Sequence, residues 1–363
     1  MVASAAIVAA APLAGVARSQ LQAALSARFG PALWVLIGAA VVTAAAVGLR
    51  RVRHRWWWRA GLVALSAAAA GAYVWTTGHA DPSIRAVEAV HFVEYGLITF
   101  LFYRVWRGHG DVATFALPAL AAFLAGVAEE AYQWFLPARV GELRDVWLNS
   151  VAIGCALLFS AGVAPPGRLA PLSARGARRI AWALAMAVLA VAAFVHAVHL
   201  GTRITLDHTS FDSRFVAAEL DALARVRAER WRLTPPLVRP DRFSREDQYA
   251  TEGLQHVQAR NLAWTQGDAV TTWHENHILE RHFAPVLDTP SYVAKAGHRW
   301  PPSQRADVWA QAEPGLGAPF ESDAFPYPIY RWTPAAVWAV AAALASLAVA
   351  AGEIHGRGAA VRA

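Results

Sequence analysis

The chain has 363 residues, 56% of them hydrophobic and only 16% charged, with a mean hydropathy of +0.31. Soluble domains carry about a quarter of their residues as charge, so this composition excludes an ordinary water-soluble globular protein. The formal net charge is +7, but the basic residues are arginines gathered at the ends of apolar blocks, with Lys295 the only lysine. That is the distribution of topology determinants rather than of a nucleic-acid surface, and no nucleic-acid partner is expected.

Residues 3–17 (ASAAIVAAAPLAGVA) are apolar but short for a span. No basic residue precedes them as a signal peptide requires. Residues 1–30 are therefore read as a surface or half-inserted helix. Seven apolar blocks follow, near 31–49, 56–76, 87–106, 113–135, 146–164, 180–200 and 333–352. Each has about the length needed to cross the hydrocarbon core as a helix. All are rich in Ala and Gly, which lets helix backbones approach closely in lipid. Trp residues such as Trp75, Trp106, Trp147 and Trp332 flank them as an aromatic belt. Cys155, the single cysteine, lies inside the fifth block, so no intramolecular disulfide or cysteine-based metal site can form.

The predicted fold class is an all-α, polytopic transmembrane bundle of about seven helices with a mainly helical extracytoplasmic insert. Residues 31–200 form a six-helix membrane bundle, 201–332 the insert, and 333–363 the last transmembrane helix and a cytoplasmic tail. With the N-terminus outside, the cytoplasmic segments hold 13 arginines and the short outside segments 5. The positive-inside rule favours that orientation in a cell membrane, and it places 201–332 outside.

The insert is a different material, with most of the acidic residues, six histidines and many prolines. Helices are predicted over 215–231, 245–264 and 269–283, with Pro-rich breaks at 234–240, 285–290 and 301–302. No sheet of three or more strands is expected. The segment HRWPPSQRADVW (298–309) reads as a packed turn or docking strip. In WHENHILERH, His274 and His277 are three apart, a spacing that can share a metal. The motif is not H-E-x-x-H, and so many histidines make the spacing common. No metal site and no cofactor is assigned.

The chemistry-bearing residues lie inside the spans, where polar groups are expensive and face the bundle interior. Glu88, His91 and Tyr95 share one face of the third helix; Glu129, Glu130 and Gln133 fall within one turn of the fourth; Asp145 and Asn149 are four apart on the fifth. For a third helix starting at 87, His91 lies about 6 Å below its start. All three sets then fall at one depth, in the outer half of the membrane. The loop LPARVGEL joins the fourth and fifth helices as antiparallel neighbours, and its Arg139 is a candidate partner for Asp145 or Glu130. The candidate polar site is therefore His91, Tyr95, Glu129, Glu130, Gln133, Arg139, Asp145 and Asn149, of which His91, Glu130, Gln133, Arg139, Asp145 and Asn149 are expected to converge within about 10–12 Å.

The order and spacing of His91, Phe92 and Tyr95, then Glu129, Glu130 and Gln133, then Pro137 and Arg139, then Asp145 and Asn149 make residues 86–160 resemble the VanZ-like family. Its members often show Asp-Lys just before the His motif, where this chain has Val87 and Glu88. They often carry Gly three residues after the Asn, where it has Ala152. The resemblance implies a membrane protein of the cell envelope, the family being named for a member linked to low-level teicoplanin resistance. It covers about a fifth of the chain, by the spacing of the motif. It implies no reaction, so whether the protein is an enzyme stays open.

Polar set and resemblance together lead to one expectation: an outer-leaflet pocket that binds or modifies an amphiphilic envelope molecule or glycopeptide-type drug, with a membrane lipid or envelope glycolipid as partner. The alternative is a structural or interaction protein whose polar network only stabilises the bundle. A transporter ranks below both, because the sequence shows no inverted repeat and no Gly/Pro-broken helix pair.

Overall fold

A computed structural model describes residues 20–21, 23–50, 55–136, 139–167, 169–233, 242–289, 296–325 and 327–361. The predicted helix at 3–17, residues Pro137, Arg168 and Lys295, and the 234–240 break lie outside the described residues. The chain is predominantly helical and divides into two compact units. The first comprises the described parts of Met1–Gln133, Gly141–Phe194 and Trp338–Ala363; the second comprises those of Trp134–Val140 and Val195–Val337.

Helices α1 (Phe29–Arg50), α2 (Trp56–Thr77), α3 (Pro82–Trp106), α4 (Ala113–Phe135), α5 (Leu143–Val163), α6 (Ala174–Phe194) and α12 (Pro334–Val361) are long and apolar enough to cross a membrane. Their large apolar side chains face outward in number: Val35, Leu36, Trp75, Val105, Trp182 and Leu347 are all exposed. A soluble monomer rarely exposes so much contiguous apolar surface, whereas lipid accepts it. The protein is a multi-pass membrane protein.

Because lipid is as apolar as the side chains, close packing holds such a bundle together. Two glycines show how close it is. A Cβ on Gly162 in α5 would come within 2.8 Å of Val63 Cγ2 and 2.9 Å of the Arg59 carbonyl in α2. One on Gly48 in α1 would come within 2.6 Å of the Val163 side chain. The Ser66 hydroxyl of α2 donates to the Cys155 carbonyl of α5 at 2.7 Å, and the Tyr103 hydroxyl of α3 donates to the Ala164 carbonyl at 2.7 Å. Tyr95, Ile98, Ala122, Ala152 and Ile153 form a core among α3, α4 and α5.

Helix α3 begins at Pro82, five residues before the apolar block that announced it. Asp81 caps it, accepting from the Ser83 amide at 2.7 Å, and Pro82 takes the first turn. His91 therefore lies about 13 Å along the helix, not about 6 Å. Hydropathy cannot see this first turn, because it carries Pro82, Ser83 and Arg85.

In the second unit, α7 (Ala217–Leu233), α8 (Arg245–Thr265) and α9 (Ala269–His282) follow the sequence reading closely. Ser244 and Asp247 form a reciprocal capping box at the start of α8. The core gathers Phe211, Phe215, Leu220, Tyr249, Ile278 and Phe283.

Two expectations are corrected here. A three-stranded sheet is present: β1 (Thr202–Leu206) pairs antiparallel with β2 (Thr209–Ser213), and β3 (Phe320–Glu321) adds in parallel to β2. The hairpin turns through Asp207 and His208, with Asp207 at φ 51. The buried face of β2 carries Thr209, Phe211 and Ser213. Two of these three are hydroxyl residues, so burial alternates while hydropathy does not. β3 is two residues long and comes from far along the chain, which leaves no local pattern. The second correction is the docking strip at 298–309, most of which forms helix α11 (Pro302–Ala312) with Pro302 in its first turn. A short helix, α10 (Ala284–Leu287), also lies within the predicted break at 285–290.

The contact at Gly162 generates a stability prediction. Gly162→Leu forces α2 from α5 and should destabilise the detergent-solubilised protein by about 1–3 kcal/mol, the usual range for overpacking. Thermal unfolding checks this, and an unchanged midpoint would refute the close approach.

A buried polar network in the membrane bundle

Helical spacing puts Glu88, His91 and Tyr95 on the α3 face that meets α5, and Gly126, Glu129, Glu130 and Gln133 on neighbouring positions of α4. Tyr95 is fully buried, and its hydroxyl donates to Glu129 Oε2 at 2.5 Å. Gln133 Nε2 donates to Glu129 Oε1 at 2.9 Å and reaches Glu130 Oε1 at 3.5 Å. Each oxygen of Glu129 thus accepts one donor. Glu130, also fully buried, accepts the Glu142 amide at 3.2 Å. On the other side of Tyr95, His91 lies parallel to its ring at 6.3 Å and pairs through Nδ1 with Asn149 Oδ1 at 2.9 Å. Asn149 accepts there, so the imidazole carries its proton on Nδ1. The Asn149 Nδ2 group is buried with no hydrogen-bond partner among the described residues.

Seven of the eight predicted residues therefore fall in one connected set. Asp145 joins it through Glu142, whose carbonyl accepts the Asp145 amide at 3.1 Å. Arg139 belongs to the second unit, where its carbonyl accepts from Arg242 Nη1 at 2.9 Å. The sequence reading missed three contributors. Arg144 donates to Glu88 Oε1 at 2.7 Å, and Glu88 Oε2 also accepts the His79 amide at 2.9 Å. Glu142 stands just before α5, half-buried. Gly126 leaves room for Tyr95 and Asn149: a Cβ there would lie 3.1 Å from the Tyr95 ring and 3.4 Å from Asn149 Nδ2. Charge was the available signal for Arg144 and Glu142; for Gly126 its place three residues before Glu129 was the only one.

Burial is graded across the set. Tyr95, Glu129, Glu130, Gln133 and Asn149 form an enclosed floor, while His91, Glu142 and Asp145 are partly exposed and Arg144 is exposed. The floor is a fixed array of carboxylate, amide and phenol groups, and the rim adds an imidazole and a guanidinium. Such an array can bind hydroxyl, amide or cationic groups by hydrogen bonding.

The histidines of the second unit diverge. His274 pairs through Nδ1 with the Thr209 hydroxyl at 2.6 Å and stacks on Phe320. Glu275 accepts from His256 Nδ1 at 2.7 Å and from the Ser322 hydroxyl at 2.5 Å. His277 stacks on Trp273. Burial holds His274 and His282 below the ordinary imidazole value, so they pack as neutral rings. Among the described residues no group of three or more His, Cys, Asp or Glu is arranged to hold a metal ion.

No protein family matches the chain, and no curated protein or solved structure does so either.

Glu142 makes the rim sensitive to pH. Burial, and then the negative charge of Asp145, push its carboxyl up to about 7 from an ordinary value of 4.5, with Arg144 opposing. A carboxyl raised on folding stabilises below its ordinary value, and that contribution is lost as pH rises through the folded value. Thermal stability of the wild type should therefore fall between pH 4.5 and pH 7. Glu142→Gln should flatten that slope, which melts across the range would test.

Proposed function

We propose that the protein is a VanZ-like membrane protein of the cell envelope that binds an amphiphilic envelope molecule, a glycolipid or a glycopeptide-type drug, at the polar set of α3, α4 and α5. The observation that carries the reading is the graded array from enclosed Tyr95, Glu129 and Glu130 to partly exposed His91 and Asp145. It offers hydrogen-bonding groups to a polar head beside apolar helix surface for an acyl chain. Asn149 Nδ2, buried without a hydrogen-bond partner among the described residues, supplies a donor to such a head group. The motif order from His91 to Asn149 supports the family, and the family the envelope. Modification of the bound molecule stays within this reading, with no reaction specified.

One observation favours a second reading. Most of the floor groups are hydrogen-bonded to one another, as a network that only locks three helices would be. Asp145→Asn and His91→Ala separate the two. If the site binds, both variants should insert and fold with wild-type yield while losing the envelope phenotype, read as growth sensitivity to teicoplanin and to detergent. Yield and phenotype falling together in every variant would establish the structural reading instead. Breaking a buried charged pair costs about 3–5 kcal/mol, so folded yield is measured in the same cells.

The arginine distribution supports a reading with the array in the outer leaflet and residues 201–332 outside the cell. With Cys155 replaced, a cysteine at exposed Asn261 should react with an impermeant thiol reagent in intact cells, and one at exposed Ser173 should not. The reverse pattern inverts the topology and moves the site to the inner leaflet.

A further inference from the structure

The second unit contains a small, partly open pocket whose lining is unusually charged for its burial. Its centre is Trp134, 1% exposed, with its indole N–H donating to the Tyr327 hydroxyl at 3.1 Å. Two guanidiniums sit over this fixed ring, Arg214 at 4.4 Å and Arg242 at 5.6 Å from its centroid. Arg242 is 6% exposed and is further held by Nη1 bonds to the Trp134 and Arg139 carbonyls. Arg214 donates to the Ala197 carbonyl and to Gln248 Oε1. Both arginines are pre-aimed rather than free to swing.

The charge does not balance. Among the described residues, Glu252 is the only acidic residue lining the pocket. It is 3% exposed and accepts the Arg214 amide at 3.3 Å through Oε2. Burial pushes its carboxyl up to about 7, against the lowering effect of the Ser213 hydroxyl, His256 and Arg214. Two guanidiniums that cannot give up their protons thus face one carboxyl that is only partly ionised at neutral pH. Buried charge without a counterion is costly. Three polar atoms around the pocket also have no hydrogen-bond partner among the described residues: Arg214 Nε, Thr251 Oγ1 and Glu252 Oε1. Two are donors; the third becomes one when Glu252 is protonated.

We propose that this pocket is a binding site for a phosphate group, either as the free ion or as the headgroup of a phospholipid. The guanidiniums of Arg214 and Arg242 supply the charge complement, which suits the planar, forked donors of arginine. Thr251 and protonated Glu252 complete the donor set. The pocket is small and partly open, so a phosphate group and not an acyl chain is what its lining can meet. The proposal does not rest on the function proposed for the polar set of the membrane bundle.

The test uses the full chain in an uncharged detergent, titrated at constant ionic strength with inorganic phosphate and, separately, with short-chain dihexanoyl phosphatidic acid. Saturable stabilisation of the protein is expected. Saturation by inorganic phosphate identifies the free ion; saturation by phosphatidic acid alone identifies the headgroup. Arg242→Gln and Arg214→Gln should weaken the affinity at least tenfold. Thr251→Val is nearly isosteric and keeps the test open if those variants fold poorly; it should weaken binding several-fold. Glu252→Gln removes the competing carboxylate and should tighten binding at pH 8. No saturable effect of either ligand on the wild type, or equal affinity in every folded variant, overturns the proposal.

Discussion

Inside a hydrocarbon layer no water can complete the hydrogen bonds of a side chain, so each polar group must find its partner in the protein or leave the layer. The membrane bundle is organised around that demand. Glu129 could not stand alone in α4; it stands because Tyr95 reaches it from α3 and Gln133 from one turn below. His91 and Asn149 solve the same problem between α3 and α5. The polar pairs fix how the helices are rotated about their axes, since a turn of any one of them would strand several groups. A purely apolar Ala-rich bundle would have many rotations of similar energy. The network selects one of them.

That selection depends on residues with no polarity at all. Gly126 gives Tyr95 and Asn149 their space, and Gly162 lets α2 reach the backbone of α5. Small residues and polar pairs act together, because hydrogen bonds of 2.5–2.9 Å between neighbouring helices require backbones close enough for short side chains to meet. A bulkier α4 would hold the carboxylates and the phenol apart even with every polar residue retained.

The second unit meets the same constraint by other means. Its interior contains histidines, arginines and glutamates beside Phe211 and Phe283, and most are matched in pairs, as Glu275 is by His256 and Ser322. Among the described residues, the lining of the pocket beside Trp134 holds two cations and one weakly ionised acid. Two guanidiniums held over one buried ring are the feature that calls for an anionic ligand.

The sequence by itself determined the membrane spans, their number, and the helical character of most of the segment between the sixth and seventh. Hydropathy blocks and 3.6-residue periodicity are local properties that any window of the chain displays. It also singled out the polar residues of α3, α4 and α5, because ionisable groups stand out against Ala, Leu and Val. Only the tertiary structure decided which of them meet. Tyr95 with Glu129, and Glu88 with Arg144, join residues 34 and 56 positions apart, and no spacing rule pairs them. The first turn of α3 was hidden because Ser83 and Arg85 interrupt the apolar run there. The sheet was hidden because Thr209 and Ser213 are buried through their hydroxyls rather than through hydrophobicity, and because β3 arrives from 110 residues away. The pocket of Arg214, Arg242 and Glu252 was invisible for the same reason: local composition records that a charge is present, while burial and distance, which give the charge its energy, exist only once the chain has folded.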